Sequence, residues 1–481
     1  MAKLRLLERN FHEFRVDGRR VLFHVPSAGL FEADGTTGPI IDLLRECKEL
    51  AREEIASNLD AGAPVHEALA ELRALGIVGG EAADLKLDQN RVAIRHFPLS
   101  TLVLNVTTGC NLSCTYCYKE DLDTPADARR MDFETARKSV ELLLSEGEGR
   151  SRLGVVFFGG EPLTNLPLIR QVVDYAEQRC GELGKQPDFS LTTNALLLTV
   201  EVANYLDAHR FGITVSIDGP RAVHDRNRMT VGGAGTYDTV AKNARMLLER
   251  YRSKPVAARV TLAPGVSDAE TIFDHLKYEL GFEEVGFAPV TADQDAWFGL
   301  EGEELARVFQ QMKRLGERYE HAALCGRYIG FSNLHHLIGD LHHGTRKLLP
   351  CGAGVALLAV DHEGKLNLCH RFTGSDLPTF GDVQHGIDKP GLGAFLDQAR
   401  DLSGRWCAQC HIRSLCGGGC YHERYQRYGD PLHPSYQYCE LLREWIEFGI
   451  ATYSRISARN PGFFERHLEP GRYADQRGVL P

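Results

Sequence analysis

The segment Cys110-Asn-Leu-Ser-Cys114-Thr-Tyr-Cys117 directly follows the apolar run Leu102-Val-Leu-Asn-Val106. The apolar run predicts a buried β-strand, so the cysteine loop begins where this strand ends. Three thiolates on one short loop can bind three irons of a [4Fe–4S] cluster, and the motif contains no fourth protein ligand. An iron without a protein ligand can bind a small molecule, which is typical of a catalytic metal site. The alternative is a zinc site that lacks one ligand.

Five further apolar runs follow, and stretches with helical periodicity separate them. The predicted strands are 102–106, 153–158, 189–192, 212–217, 258–262 and 285–289, and the predicted helices are 133–144, 168–180, 202–208, 237–251 and 269–279. Six βα repeats predict an α/β fold whose parallel sheet curves into a partial (β/α)6 barrel similar to a TIM barrel. Such sheets carry their chemistry at the C-terminal ends of the strands, where the cysteine loop lies.

Glycine and polar residues follow the next three predicted strands. Gly159-Gly160-Glu161-Pro162 comes after the second strand; its glycines permit close backbone approach, and Glu161 can pair with an ammonium group. Thr192-Thr193-Asn194 follows the third strand, Ser216-Ile-Asp218 follows the fourth, and Arg228 lies ten residues beyond Asp218. Each feature also has a structural interpretation: a turn before a helix, a cap at a strand end or, for Arg228, a solvated surface charge.

Taken in this order, the cysteine loop, the Gly-Gly-Glu-Pro segment and the polar strand ends resemble the radical S-adenosylmethionine (SAM) enzymes. The resemblance implies that Cys110, Cys114 and Cys117 bind a [4Fe–4S] cluster, whose open iron chelates SAM and whose electron cleaves it to a 5′-deoxyadenosyl radical. It also implies a set of SAM contacts, namely Tyr116, Gly159, Gly160, Glu161, Thr193, Asn194, Ser216, Asp218 and Arg228.

Seven more cysteines lie near the C-terminus. Cys351-x12-Gly364-x4-Cys369 is followed by Cys407-x2-Cys410-x5-Cys416-x3-Cys420 and then by Cys439. This spacing resembles the SPASM domain of radical SAM peptide-modifying enzymes, with a zinc-binding region as the alternative. The resemblance implies one auxiliary [4Fe–4S] cluster on Cys407, Cys410, Cys416 and Cys439, and another on Cys351, Cys369 and Cys420. The predicted cofactors are therefore SAM and three [4Fe–4S] clusters; a substrate thiolate or His370 could supply the missing fourth ligand.

Composition and cysteine usage restrict the environment of the protein. Cytosolic thiols stay reduced, so the thirteen cysteines predict metal sites rather than disulfides, and the isolated Cys47, Cys180 and Cys325 are expected to be buried and inert. A net charge of −10 argues against binding to nucleic acid or to an anionic membrane. We find no signal peptide and no apolar segment of the roughly 18 residues that a membrane span needs. A cytoplasmic location is expected.

The domain prediction has four parts: a recognition-like α+β unit at 1–95, the barrel at 96–320, a helical linker at 321–346 and the SPASM domain at 347–481. The first unit is expected to contain a hairpin (11–16 and 20–25), helices at 37–57 and 65–75, and a strand at 91–95. The SPASM domain should have few long helices. The histidine pairs His335-His336 and His342-His343 are interpreted as helix-capping or surface residues rather than metal ligands.

Resemblance to maturases of ribosomally made peptides implies that the N-terminal unit is winged-helix-like and pairs an edge strand with a leader peptide. Within the peptide maturases, the chain looks most like the enzymes that mature quinohemoprotein amine dehydrogenase. Five segments carry this likeness: Phe11–Phe14, Pro26–Phe31, Pro350–Gly354, Cys369–Gly374 and Cys416–Glu423. That likeness implies thioether bonds between Cys sulfurs and Asp or Glu methylene carbons in a small cysteine-containing protein, the dehydrogenase γ-subunit. A flavodoxin- or ferredoxin-like protein would donate electrons.

Two other classes of function remain open at this point. One is a different SPASM outcome: C–C crosslinking, epimerisation or formylglycine formation. Sulfatase maturases, which form formylglycine, carry an Asp base where this chain has His370, and this difference disfavours that outcome. The other class is a non-catalytic peptide-binding scaffold stabilised by zinc or Fe–S clusters. The sequence assigns no catalytic acid or base.

Overall fold

The computed structural model describes residues 3–59, 62–80, 99–402 and 405–468. Its centre is one eight-stranded sheet, in which the first six strands in sequence are parallel to their neighbours. The six strands are β7 (Thr101–Asn105), β8 (Arg152–Phe158), β9 (Gln186–Thr193), β10 (Gly212–Ser216), β11 (Val256–Leu262) and β12 (Glu284–Pro289). All six predicted strands are confirmed, and with them the partial barrel.

Helices connect the parallel strands. They are α4 (Phe133–Glu146), α5 (Leu166–Glu182), α6 (Val200–Ala208), α7 (Arg221–Asn227), α8 (Tyr237–Arg250) and α9 (Ala269–Asp274), followed by α10 (Gly302–Leu324) and α11 (Ser332–His342). The predicted helix at 269–279 ends as an α-helix at Asp274 and continues as a π-helical turn, His275–Glu279. The predicted boundary at 320/321 falls inside α10, so the barrel region and the linker share one helix.

Side-chain burial alternates along the middle strands. In β8, Leu153, Val155 and Phe157 are buried, whereas Gly154, Val156 and Phe158 are half-buried, and β9 to β11 show the same period of two. The buried set belongs to the hydrophobic core shared with α4 to α6 and α8. The other set faces the inside of the curved sheet, which is therefore accessible to solvent rather than filled with side chains.

The C-terminal region extends the same sheet. β13 (Leu357–Val360) pairs in parallel with β7, and β14 (Leu366–Asn367) pairs antiparallel with β13. The remaining elements are β15 (Gly381–Asp382), β16 (Gly386–Ile387), α12 (Lys389–Arg400), α13 (Arg413–Cys416), α14 (Tyr421–Tyr428), α15 (Cys439–Arg459) and α16 (Gly462–His467). The expectation of few long helices is wrong for α15, which has 21 residues and buries Trp445, Ile446, Ile450 and Ile456. These apolar side chains make α15 a packed helix beside α10 and α11.

The first 80 residues form two small sheets and three helices. The strands are β1 (Leu4–Leu6), β2 (Phe11–Val16), β3 (Arg19–His24), β4 (Gly29–Glu32), β5 (Glu49–Leu50) and β6 (Val78–Gly79), and the helices are α1 (Thr37–Cys47), α2 (Arg52–Asn58) and α3 (Gly62–Ala74). The hairpin is confirmed as β2–β3. The helical pattern predicted at 37–57 forms α1 and α2 but is interrupted between them, where Lys48 has φ +68° and Leu50 pairs with Leu4 of β1. This long-range pairing overrides a continuous helical pattern. The strand predicted at 91–95 lies outside the described residues.

Several single residues also differ from expectation. Cys180 is buried as predicted, but Cys47 and Cys325 are exposed because each lies at the end of a helix. His335 is not a surface residue: it is buried, and its Nδ1 lies 2.8 Å from the Tyr319 hydroxyl. In the part of the chain that the structure describes, none of the helices combines the length and the apolar character needed to cross a membrane.

Candidate functional site

The three cysteines of the first loop lie directly beyond β7. Cys110 is buried, Cys114 is half-buried and Cys117 is exposed. Burial raises the pKa of Cys110 to about 12 and that of Cys114 to about 11, and neighbouring thiolates raise both values further. Three thiolates that repel one another in a shielded loop are stabilised by a cation, because metal binding replaces the thiol proton. The chemistry of this donor set therefore fits a metal cluster.

Gly159 and Gly160 bring the segment after β8 against the cysteine loop. Gly160 N donates to Thr107 O (2.9 Å), and Glu161 N donates to Gly109 O (2.9 Å). A Cβ on Gly159, whose φ is +145°, would lie 2.3 Å from Thr107 O, and a Cβ on Gly160 would lie 2.3 Å from Gly109 O. Only glycine permits this approach of two backbones.

Replacing Gly160 with alanine is expected to displace the cysteine loop and to reduce the iron bound per chain after anaerobic reconstitution. The added methyl group meets backbone atoms that cannot rotate away. The matched control is Gly149→Ala, because nothing lies within 4 Å of a Cβ at that position. Iron and sulfide analysis of both variants tests the expectation, and equal iron content in Gly160→Ala and wild type would contradict it.

The Glu161 carboxylate links the ends of β8 and β9. Its Oε1 accepts from Leu163 N (3.1 Å) and from the Thr193 hydroxyl (2.8 Å), and its Oε2 accepts from Asn194 N (2.7 Å). Burial raises the pKa of Glu161 to about 7, and these hydrogen bonds oppose the rise. Asn194 in turn donates to Asn111 Oδ1 (2.8 Å) on the cysteine loop. Glu161 thus positions the loops, and its direct contact with SAM stays a prediction.

A buried ion pair lies beyond β10, next to the cysteine loop. Arg228 Nε donates to Asp218 Oδ2 (2.9 Å), which also accepts from the Tyr116 hydroxyl, and Asp218 Oδ1 accepts from Thr261 N (3.0 Å). Asp218 is fully buried, so the interpretation of Arg228 as a solvated surface charge is wrong. Burial raises the pKa of Cys114, and the charge of Arg228 opposes that rise. Ser216 ends β10 and is half-buried.

His224, which is not among the site residues predicted from the sequence, contacts the backbone on both sides of this ion pair. Its Nδ1 accepts from Asp218 N (3.3 Å), its Nε2 lies 3.0 Å from the Thr236 hydroxyl, and that hydroxyl donates to Arg228 O (2.7 Å). These contacts fit a neutral imidazole with its proton on Nε2. A single histidine in the short helix α7 carries no pattern that indicates its burial.

Acid is expected to destabilise the wild-type chain more than a His224→Asn variant. Burial first, and the charge of Arg228 second, lower the pKa of His224 to about 4. The unfolded histidine takes up a proton near pH 6.5, so the folded state loses stability as the pH falls from about 6.5 to about 4. Unfolding midpoints across this range measure the effect. The variant His385→Asn, at an exposed histidine, should lose stability in acid as the wild type does. If His224→Asn lost as much stability as the wild type over this pH range, His224 would not be the group responsible.

The C-terminal cysteines fall into two groups. Burial raises the pKa of Cys351 to about 11 and that of Cys369 to about 12, and the Cys420 thiolate adds to both. Burial likewise raises the pKa values of Cys416 and Cys439, which Cys407 and Cys410 raise further. The cysteines that act on one another's pKa values are thus the same two sets that the resemblance to SPASM domains implies for the two auxiliary clusters. Their role as ligands stays a prediction.

The described cysteine groups do not have their sulfurs gathered around one point. Four sulfurs at about 2.3 Å from one zinc lie about 3.8 Å apart. Among the described residues, which include every cysteine of the arrays, the one group of three ligand atoms within 4.8 Å of one another is His12, His411 and Glu447. In that group the two imidazole rings stack with centroids 3.9 Å apart and planes 13° apart, so no ion can lie in both ring planes.

His370 and Arg371 lie between the first cysteine loop and the Cys351 group. The ring centroid of His370 is 4.3 Å from that of Phe158 at the end of β8, and the Arg371 guanidinium lies 4.6 Å from the ring centroid of Tyr118. Burial lowers the pKa of His370 to about 3, so its imidazole is neutral. The structure thus brings the region after Cys369 against the region after Cys117.

Residues 104–276 match the sequence profile of the Radical SAM superfamily. The chain therefore contains a radical SAM domain, in which the first cysteine loop, Glu161, Asp218 and Arg228 all lie.

Its relatives include a sulfatase-maturating enzyme and a cyclopropyl synthase. The chain is 24% identical over 370 residues to the cysteine-type anaerobic sulfatase-maturating enzyme of Clostridium perfringens. The aligned region covers 73% of this chain and 96% of that enzyme. It is 23% identical over 246 residues to the radical SAM cyclopropyl synthase TigE of Paramaledivibacter caminithermalis. This aligned region covers 47% of this chain and 51% of TigE. The solved structure of native anSMEcpe with bound AdoMet and Kp18Cys peptide has the same fold, with a TM-score of 0.64, 20% identity, and coverage of 75% of this chain and 99% of that one.

Proposed function

We propose that this protein is a radical SAM maturase that forms thioether bonds within a small cysteine-containing protein. The bond would join a cysteine sulfur to the methylene carbon of an Asp or Glu residue. The substrate we infer is the γ-subunit of quinohemoprotein amine dehydrogenase. The observation that carries the proposal is the position of the Cys351 group beside the radical SAM loop, on the open face of the barrel.

The donor sets are compatible with iron–sulfur clusters. In a [4Fe–4S] cluster each thiolate binds a different iron, so the sulfurs stand farther apart than around one ion. None of the cysteine groups has three sulfurs within 4.8 Å of one another in the described chain, a spacing that is compatible with clusters. We assign Cys110, Cys114 and Cys117 to the SAM cluster, and the other two groups to auxiliary clusters. Three clusters correspond to roughly twelve irons per chain.

The chain's own residues would prepare the radical chemistry. A reduced [4Fe–4S] cluster with an open iron supplies the electron that cleaves SAM. Arg228, held by Asp218, places a buried positive charge beside Cys114, where a carboxylate of SAM would be bound. Asn194 donates to the sulfur of Cys110 (3.9 Å) and so steadies the loop.

Formation of this bond requires a radical enzyme, because a hydrogen atom must be removed from a methylene carbon. A methylene C–H has no acidic proton near neutral pH, so its hydrogen leaves as an atom to the deoxyadenosyl radical. The thiol of the substrate would lose its proton and the sulfur would join the carbon. An auxiliary cluster, held by the Cys351 group or by the Cys407 group, would supply the acceptor for the one surplus electron. The Cys351 group has three cysteines, so one of its irons could bind the reacting thiolate and lower its pKa.

The N-terminal unit would bind the leader segment of the substrate. β4 lies at the edge of the sheet β2-β3-β4, and its last two residues, Phe31 and Glu32, are exposed. An exposed edge strand can add an extended peptide as a further strand. A flavodoxin- or ferredoxin-like protein would deliver the electron that reduces the SAM cluster.

Anaerobic co-expression with the dehydrogenase γ-subunit tests the proposal. Mass spectrometry should show a loss of two hydrogens for each linkage. In a reaction of the purified enzyme with the unmodified γ-subunit, prior alkylation of the reacting cysteine should prevent the loss. Replacement of that cysteine by serine in the γ-subunit is the matched control. A mass change at a cysteine without a crosslink would instead indicate formylglycine, and a colourless zinc protein would exclude every enzymatic interpretation.

A further inference from the structure

Arg259 is a charged residue in an otherwise uncharged strand. β11 reads Val-Ala-Ala-Arg-Val-Thr-Leu, and strands inside a parallel sheet are normally apolar throughout. Ala258 and Val260 are buried, whereas Arg259 between them is exposed. The Arg259 side chain therefore projects into the open interior of the barrel. It extends over β12, because a Cβ on Gly286 would lie 3.5 Å from Arg259 Nη1.

Arg371 approaches the same space from the C-terminal region. Its guanidinium lies 4.6 Å from the ring centroid of Tyr118, and its Nη1 donates to the Thr291 hydroxyl (2.8 Å) just after β12. Burial raises the pKa values of Cys369 and Cys420, and the charge of Arg371 opposes both rises. Arg371 thus lies between the first cysteine loop and the Cys351 group, where a reacting peptide would lie.

Of the two guanidinium groups, that of Arg259 has little negative charge around it. Burial first, and the charge of Arg371 second, lower the pKa of Arg259. The carboxylate that acts on both arginines is Glu423, and its Oε2 already accepts from the hydroxyls of Tyr436 and Tyr438. Within the described ranges, no carboxylate lies within 4.0 Å of the Arg259 guanidinium. An arginine that faces the open interior of the barrel, beside a second arginine and without a described carboxylate within ion-pair distance, can bind a further anion.

We propose that Arg259, supported by Arg371, binds a carboxylate side chain of the peptide substrate inside the barrel. This inference rests on the proposed function and names the residues that select an acidic side chain for reaction. A guanidinium that holds both carboxylate oxygens fixes the plane of that group, and the methylene carbon bonded to it is held with it. An amide of the same shape would lose one of the two charge-assisted hydrogen bonds.

Binding of two synthetic peptides to the anaerobic holoenzyme with SAM tests the inference. The fluorescently labelled peptides share one sequence with a single cysteine and differ only in an Asp or an Asn. The wild type should bind the Asp peptide at least ten times more tightly, and Arg259→Gln should bind the two peptides within a factor of two. Arg250→Gln, at the exposed end of α8, is the matched control and should keep the tenfold preference.

Equal binding or no binding of the two peptides by the wild type would overturn the inference, as would an undiminished preference in Arg259→Gln. If Arg259→Gln fails to bind iron, Arg259→Lys replaces it, because lysine keeps the charge but not the two-pronged geometry. The preference must then fall to threefold or less. The binding measurement requires no turnover. A wild-type enzyme that leaves the γ-subunit unmodified would therefore overturn the proposed function, whereas the preference for the Asp peptide would still decide the role of Arg259.

Discussion

Replacing Cys114 with alanine is expected to abolish the reductive cleavage of SAM. If Cys110, Cys114 and Cys117 hold the cluster, the variant has two thiolates for three irons, and a second iron loses its protein ligand. Formation of 5′-deoxyadenosine after reduction with dithionite, measured by chromatography, should fall at least a thousandfold and reach the background of the uncatalysed reaction.

The matched control is Cys325→Ala. Cys325 is an exposed cysteine at the end of α10 and belongs to none of the arrays. This variant should keep both its iron content and its rate of SAM cleavage. A Cys114→Ala enzyme that still produces 5′-deoxyadenosine at the wild-type rate would show that another group of cysteines holds the active cluster.

The Asp218→Asn substitution is expected to cause the second-largest loss. Both oxygens of Asp218 accept hydrogen bonds, Oδ2 from the Tyr116 hydroxyl and Arg228 Nε and Oδ1 from Thr261 N, so in either orientation the NH2 group of an asparagine faces a donor. The buried guanidinium also loses its counter-charge. Removing one partner of a buried ion pair costs about 3–5 kcal/mol, which corresponds to a factor of more than 100. We expect this cost to appear as a lower unfolding midpoint and as slower SAM cleavage.

Asp238→Asn provides the control for this substitution. Asp238 also pairs with an arginine, Arg221, but both side chains are more than half exposed. Solvent screens such a pair, so its loss should leave the unfolding midpoint and SAM cleavage almost unchanged. If Asp218→Asn behaved like Asp238→Asn, the buried pair would have no part in positioning Arg228.

The sequence was sufficient to predict the barrel because its signal is local and repeated. The strand predicted at 102–106 is observed at Thr101–Asn105, and the one predicted at 285–289 at Glu284–Pro289. Apolar runs of strand length recur between helical periods, and parallel strands of this kind sit in the interior of α/β folds. The pairing of β13 with β7 is different, because Leu358 and Leu102 are 256 positions apart and no spacing pattern encodes their register.

The candidate site was predictable to the extent that its residues lie within short motifs. Cys110, Cys114 and Cys117 share one loop, and the structure places them together at the end of β7. The buried network behind them was not predictable in detail, because Asp218, His224 and Thr236 meet only when α7 folds back over β10. Arg259 had a local signal, since it is a lone charge in an apolar strand, but its meaning depends on Arg371 from a distant segment.

Electron paramagnetic resonance of the anaerobically reconstituted, dithionite-reduced protein tests the central claim most directly. If the loop from Cys110 to Cys117 holds a cluster with an open iron, the spectrum should contain a reduced [4Fe–4S] signal whose g-values shift when SAM is added. That SAM-dependent component should be missing from Cys114→Ala, while the signals of the other clusters remain. A spectrum that SAM leaves unchanged in the wild type would contradict the claim.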